Sequence, residues 1–268
     1  TFTQLYRLLG ISAFLAIALY LTSSQWHYLF ANVVLVAILW YITISLYGLI
    51  QGAAALLVGG RLHALQIGLG PAVFEMKLGS GRFSLGKFPL GSLYYVTYAN
   101  RDLIKLRMSI LYLAGILFHG VMIVMLFPSV QFTSFTATYA FREIFLLTNA
   151  YMLYGIIIPG QIDLSSTEVP NNANSLKNLF SNQIDLNEVH ALYYIVECEN
   201  ALSQRHYEDA LNIATAGLAL YPDNTLLKFS WSMATSWLGD SREALTVLDE
   251  VLATPDLPQP QQAFISNN

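Results

Sequence analysis

The sequence predicts a mainly α-helical membrane protein. About four transmembrane helices, with a small membrane-associated β-sheet between the second and third, precede a soluble α-helical repeat. Three observations carry this. Of 268 residues, 55% are hydrophobic and only 11% charged, against about 25% charged in an ordinary soluble domain. Several apolar runs approach the ~20 residues that a helix needs to cross a bilayer. Beyond residue 159 the composition turns polar, and a periodic helical pattern runs from 186 to 252.

The first apolar run covers residues 8–22 and reaches spanning length with Leu5 and Tyr6 included. Arg7 precedes it and no small-residue cleavage pattern follows, so it reads as a retained helix. Together with the turn to residue 27 it forms a first unit. The second run, 28–50, continues helically to Val58, where Gly59-Gly60 ends it. The third covers 108–127 and the fourth 141–158. Arg61, Lys77, Arg82, Lys87, Arg101, Lys105 and Arg107 lie between the second and third, whereas 23–27 and 128–140 carry no Lys or Arg. An excess of Lys and Arg marks the cytoplasmic side, so four spans place both termini there. Arg142, on the outer side, runs weakly against that orientation.

Between the second and third runs the period changes from helical to alternating. Phe74, Met76 and Leu78 alternate with Glu75 and Lys77; Gly79-Ser80-Gly81 turns the chain; Phe83 and Leu85 flank Ser84. That is a hairpin pattern, and residues 93–98 add a further strand. Open sheet edges need protein cover in lipid, so the sheet is expected on the cytoplasmic face. Residues 160–185 read as a polar linker. In the helical part Ala210-Leu211 recurs as Ala244-Leu245, and Tyr207-Glu208-Asp209-Ala210 falls in frame with Ser241-Arg242-Glu243-Ala244. Helix–turn–helix units at a spacing of 34 resemble the tetratricopeptide repeat. The tail from residue 255 is read as loose. Cys198 is the single cysteine, which excludes an internal disulfide and a cysteine-rich zinc site; it reads as a small buried residue.

Set in order, the motifs of residues 28–180 resemble the site-2 protease family of intramembrane zinc metalloproteases. Gly68-Leu69-Gly70-Pro71 matches that family's G-x-G-P element, and Pro89-Leu90-Gly91-Ser92 its P-L-G-G-like turn. Leu113-Ala114-Gly115-Ile116-Leu117-Phe118-His119 matches its A-G-P-x-x-N helix, with Ile116 for Pro and His119 for Asn. Residues 156–159 stand where N-x-x-P would be. Val169-Pro170-Asn171-Asn172-Ala173 resembles the Asp-Gly segment that supplies the last metal ligand, with Asn172 for Asp. The resemblance implies a membrane core over 28–180 and a cytoplasmic tetratricopeptide-like domain over 181–268. Gly68, Gly70, Pro71, Pro89, Gly91 and His119 become candidates for a binding groove.

The chemistry departs from the family. H-E-x-x-H works because i, i+4 spacing puts two imidazoles on one helix face to hold Zn²⁺, with Glu as general base. Family spacing puts that motif at Tyr47-Gly48-Leu49-Ile50-Gln51. A phenol and an amide are poor zinc ligands, glycine cannot accept a proton, and Asn172 offers a neutral amide for a carboxylate. His27 falls at the opposite face, His190 and His206 in the repeat, and His63 and His119 lack i, i+4 partners; a lone Asp163 cannot hold zinc. Tyr47 and Gln51 either fill the emptied cavity, joined by a hydrogen bond, or line a retained peptide groove. His119 reads as hydrogen-bonded inside the bundle.

The expectation is therefore a pseudoprotease with no catalytic residues, no metal and no cofactor. It would act as scaffold, adaptor or assembly subunit, with a transmembrane protein partner at its core and a second protein at the repeat. The alternative is an active, or artificially inactivated, zinc-dependent intramembrane protease. A multi-pass protein of a membrane, taken as a bacterial inner membrane, is expected, and no basic patch points to nucleic acid.

Overall fold

The computed structural model describes residues 2–21, 24–78, 81–130, 136–158, 161–164, 167–170 and 172–252, and excludes the side chains of 2–8, 69, 78, 88–90, 161–170 and 252. Pro159, the Gly79-Ser80 turn, Asn171 and the tail from 253 lie outside the described residues, as do the side chains of Pro89 and Asp163. The described residues are mainly helical, with four strands in two-stranded pairs. The chain divides into two compact units, residues 1–96 with 105–183, and residues 97–104 with 184–268.

The first unit holds α1 (Phe2–Leu21), α2 (His27–Leu57), β1 (Arg61–Leu78), β2 (Gly81–Thr97), α3 (Ile104–Leu126), α4 (Phe141–Ile157), β3 (Gln161–Leu164), β4 (Thr167–Pro170) and α5 (Asn172–Phe180). Among the described residues two stretches, His27–Leu57 and Ile104–Ser129, are long and apolar enough to cross a membrane. At 1.5 Å per residue α2 is about 46 Å long, more than the ~30 Å hydrocarbon layer. Large apolar side chains stand exposed along these helices, among them Leu49, Leu57, Leu117 and Val124, the last at 73%. Water-soluble surfaces rarely present apolar area on that scale.

Several polar groups inside this unit are bonded within it, as a low-dielectric surrounding favours. Thr43 and Thr148 return their hydroxyls to the carbonyls of Leu39 and Ile144. Asn32 of α2 donates to the Thr138 carbonyl at 2.9 Å and accepts from the Ala140 amide at 3.0 Å. One side chain thereby satisfies the start of α4 and fastens it to α2, beside the apolar contact of Leu39 with Ala140 and Ile144. Near the same end of α2, His27, Tyr28 and Tyr139 pack ring on ring.

β1 starts at Arg61, well before the alternation at 74–78, and runs through Pro71. Laid straight, its 18 residues would extend about 60 Å. Yet a Cβ on Gly81, three residues past its end, would lie 2.5 Å from the Leu62 carbonyl at its beginning. The strand therefore doubles back. Gly68 and Gly70, at φ 83° and 81°, supply the left-handed backbone for that bend, and Gly91, at φ 68°, bends β2. The hairpin packs on a small-residue face of α2: a Cβ on Gly52 would sit 3.1 Å from Leu65 Cδ2.

Residues 160–185 are not the plain linker expected. β3 pairs antiparallel with β4, Asp163 opposite Glu168, and α5 follows at once. The strands are four residues each, too short for the alternation of Gln161-Ile162-Asp163-Leu164 to stand out from a polar linker; backbone pairing defines them.

The second unit holds α6 (Leu186–Ser203), α7 (Tyr207–Leu220), α8 (Thr225–Trp237) and α9 (Ser241–Leu252). Side chains of Asp185 and Asn224 cap α6 and α8. The recurrence at 34 is one of backbone geometry. Arg205 N–H bonds the Leu202 carbonyl as Gly239 N–H bonds that of Ser236. His206 N–H reaches Ala201 as Asp240 N–H reaches Thr235, and Ala210 N–H reaches His206 as Ala244 N–H reaches Asp240. Ala210 is fully buried with Cys198, Ala201, Ala214 and Ala234. Gly217 allows α7 to approach its neighbours, since a Cβ there would lie 2.9 Å from Leu227 Cδ2 and from Tyr194 Cβ. Residues 97–104 belong to this unit. Nε2 of His190 pairs with the Ala99 carbonyl at 3.1 Å and Nδ1 with the Tyr221 hydroxyl at 2.6 Å, while Arg101 donates to Asn187 at 2.7 Å.

Candidate functional site

The segments quoted for the family resemblance come from five places in the chain. Four of them meet at the middle of α2, within the first unit. Tyr47 and Gln51 are one helical turn apart and point the same way. Gln51 Nε2 donates to the Tyr47 hydroxyl at 3.2 Å, and that hydroxyl donates to Asn172 Oδ1 at 3.1 Å. Asn172, the first residue of α5, is buried and donates through Nδ2 to the Tyr112 carbonyl of α3 at 2.9 Å. A directed chain of hydrogen bonds therefore runs from α2 through α5 to α3.

Gly115 leaves the space in which these groups meet. A Cβ there would run into the Tyr47 ring, lie 2.5 Å from Gln51 Nε2 and 2.9 Å from Asn172 Nδ2. One turn on, His119 stacks on Tyr47, centroids 5.4 Å apart and planes within 20°. Its Nδ1 pairs with Asn149 Oδ1 of α4 at 2.9 Å, and Asn149 Nδ2 donates to the Phe145 carbonyl. His119 and Asn149 are both buried. His63 lies apart from this cluster, against Tyr95 in the hairpin.

Gly48 faces the hairpin. A Cβ at Gly48 would lie 3.0 Å from Ser92 Cβ and 3.3 Å from Ile67 Cγ1. Ile67 immediately precedes the Gly68-Leu69-Gly70-Pro71 bend, and Ser92 follows Gly91. Both motif elements thus abut the position where the resemblance would require a glutamate, and Ser92 occupies the room such a side chain would need. Gln51 Oε1 and Ser92 Oγ are buried without a protein hydrogen-bond partner.

These donors do not fit a zinc ion. The Tyr47 oxygen is engaged by both amides, the Gln51 and Asn172 nitrogens act as donors, and no anionic ligand stands among them. Among the described residues no group of three His, Cys, Asp or Glu is close enough to hold a metal. What the arrangement can do is mechanical: it ties three helices together inside an apolar surrounding, where an unpaired polar group costs several kcal/mol. Sequence reasoning missed Tyr112, Ser92 and Asn149. Asn149 had a signal, being an amide within the apolar stretch of α4 that follows Glu143; a backbone carbonyl such as that of Tyr112 has none. No family model, curated protein or solved structure matches this chain.

Proposed function

We propose that this chain is a catalytically inactive relative of the site-2 proteases. Four helices, α1 to α4, cross the membrane, and the core serves as a scaffold that binds a transmembrane protein. Support comes above all from one convergence: Tyr47, Gln51 and Asn172, selected by motif spacing alone, join in one hydrogen-bonded cluster across 125 residues. Gly115 leaves the room in which these three side chains meet, and Gly48 faces the hairpin at Ile67 and Ser92. Residues that a hydrolytic centre would hold apart for a metal are here bonded to one another.

The charge asymmetry supports a multi-pass protein with the hairpin face and both termini cytoplasmic, in a membrane read as a bacterial inner membrane. The recurring turns of α6–α9 support the tetratricopeptide-like reading, and helical repeats of that kind present partner-binding surfaces. The second unit would recruit a second protein there, making the whole an adaptor or an assembly subunit.

The test is to restore the donors. Tyr47→His, Gln51→His and Asn172→Asp together recreate two imidazoles at i, i+4 and one carboxylate. Purified in detergent and loaded with Co²⁺, the triple variant should bind one equivalent and show tetrahedral visible absorption. Failure of a folded triple variant to bind cobalt would remove the ancestry on which the proposal depends.

A further inference from the structure

The first turn of the second unit carries side chains that its counterpart lacks. Arg205 and Gly239 are 34 positions apart and close equivalent turns, and both adopt left-handed backbone, at φ 63° and 100°. Glycine takes that conformation freely, whereas a residue with a Cβ is strained in it. The second turn uses the relaxed residue; the first keeps an arginine despite the strain. Two residues on, Tyr207 stands where the second turn has Ser241. The Tyr207 ring stacks on Trp237 with centroids 5.3 Å apart and planes within 5°. Trp237 remains 59% exposed. Leu202, Ser203, Arg205, Tyr207 and Trp237 line a cleft of about 410 Å³. A flat aromatic pair beside an exposed cation suits an extended, proline-bearing segment with an acidic residue, because proline-rich peptides dock on aromatic-lined grooves with little entropy to lose.

We propose that this cleft is the docking site for residues 255–260 of the chain's own tail, Pro255-Asp256-Leu257-Pro258-Gln259-Pro260. The tail follows α9 directly. From Leu252, the return along the 12 residues of α9 is about 18 Å. Six residues in extended polyproline form would cover about 19 Å, enough to return to the start of α9 at Ser241, four residues after Trp237. Asp256 provides the charge complementary to Arg205. Both partners sit on one chain, so modest contacts suffice: a short tether gives a high effective concentration.

The experiment uses the whole chain in detergent, labelled with 5-fluorotryptophan and followed by fluorine NMR, with the Trp237 signal assigned through Trp237→Phe. Three variants are compared with the parent: a chain ending at Leu252, the full chain with Pro258→Ala and Pro260→Ala, and the full chain with Arg205→Gly. The last removes the cation while relieving the backbone, as Gly239 does in the second turn, and should melt no lower than the parent. All three should move the Trp237 resonance the same way and raise its quenching by acrylamide several-fold. A synthetic peptide of residues 253–268, added to the shortened chain, should return the parent signal. An identical Trp237 resonance in the parent and the shortened chain would overturn the proposal. So would a shift that depends on protein concentration in both, which would mean that a second copy fills the cleft.

Discussion

The Tyr47 hydroxyl donates to Oδ1 of Asn172 at 3.1 Å, linking the middle of α2 to the first residue of α5. The same hydroxyl accepts from Gln51, so one oxygen holds two amides. Removing it orphans both. A buried polar group left unpaired costs about 1–3 kcal/mol, and Tyr47→Phe should destabilise the first unit on that scale. In a double-mutant cycle with Asn172→Ala, a coupling of ~0.5–3 kcal/mol is expected for residues in one network. Unfolding in mixed micelles measures both; additive effects would show that the bond carries no weight.

Gly115 and Gly120 lie on the same helix and have opposite surroundings. The first has the Tyr47, Gln51 and Asn172 side chains within 3 Å of where a Cβ would be; the second has nothing within 4 Å. Gly115→Ala should therefore cost about 1–3 kcal/mol through overpacking. Gly120→Ala should be neutral or slightly stabilising, since alanine favours helix by up to ~1 kcal/mol. Thermal melts of the two variants, side by side, check the difference.

Cys198 should be inert. Burial, with a smaller contribution from the neighbouring Glu199 charge, pushes its thiol up to about 12. At pH 8 the native protein should resist alkylation that the unfolded chain undergoes readily. The linkage has a definite sign. Above ~8.5, where an exposed thiol ionises, the unfolded state holds fewer protons than the folded one. Stability then falls as pH rises toward the folded value, by up to ~1.4 kcal/mol per pH unit. Cys198→Ala should flatten that alkaline slope, read from denaturant melts between pH 8 and 11.

The sequence exposes long-period features well. The apolar runs at 28–58, 108–127 and 141–158 lie within a few residues of α2, α3 and α4, because helix burial in an apolar medium depends on composition over many residues. The recurrence from Ala210 to Ala244 is likewise visible, since close-packed positions demand the same small residue in each turn. The β3–β4 pair escapes because each strand is only four residues long: Gln161-Ile162-Asp163-Leu164 alternates but Thr167-Glu168-Val169-Pro170 does not, and backbone pairing is what defines the pair. The doubling back of β1 hides behind glycines whose left-handed conformation is a property of φ alone. At the site, Tyr47, Gln51 and Asn172 are recognisable by what they replace. Ser92 and Tyr112 act through proximity and a carbonyl, and neither leaves a chemical mark in the sequence. The attachment of residues 97–104 to the helical unit runs through the Ala99 carbonyl, which is equally silent, and through Arg101, whose partner Asn187 is 86 residues away.

The most direct measurement is the metal content of the unaltered protein, purified from zinc-replete cells without chelator and analysed by plasma mass spectrometry. With the Tyr47 oxygen committed to Gln51 and Asn172, zinc should be found far below one atom per chain and should not rise when zinc is added and the excess removed. One zinc per chain, lost on Gln51→Ala or Asn172→Ala, would contradict the pseudoprotease reading outright.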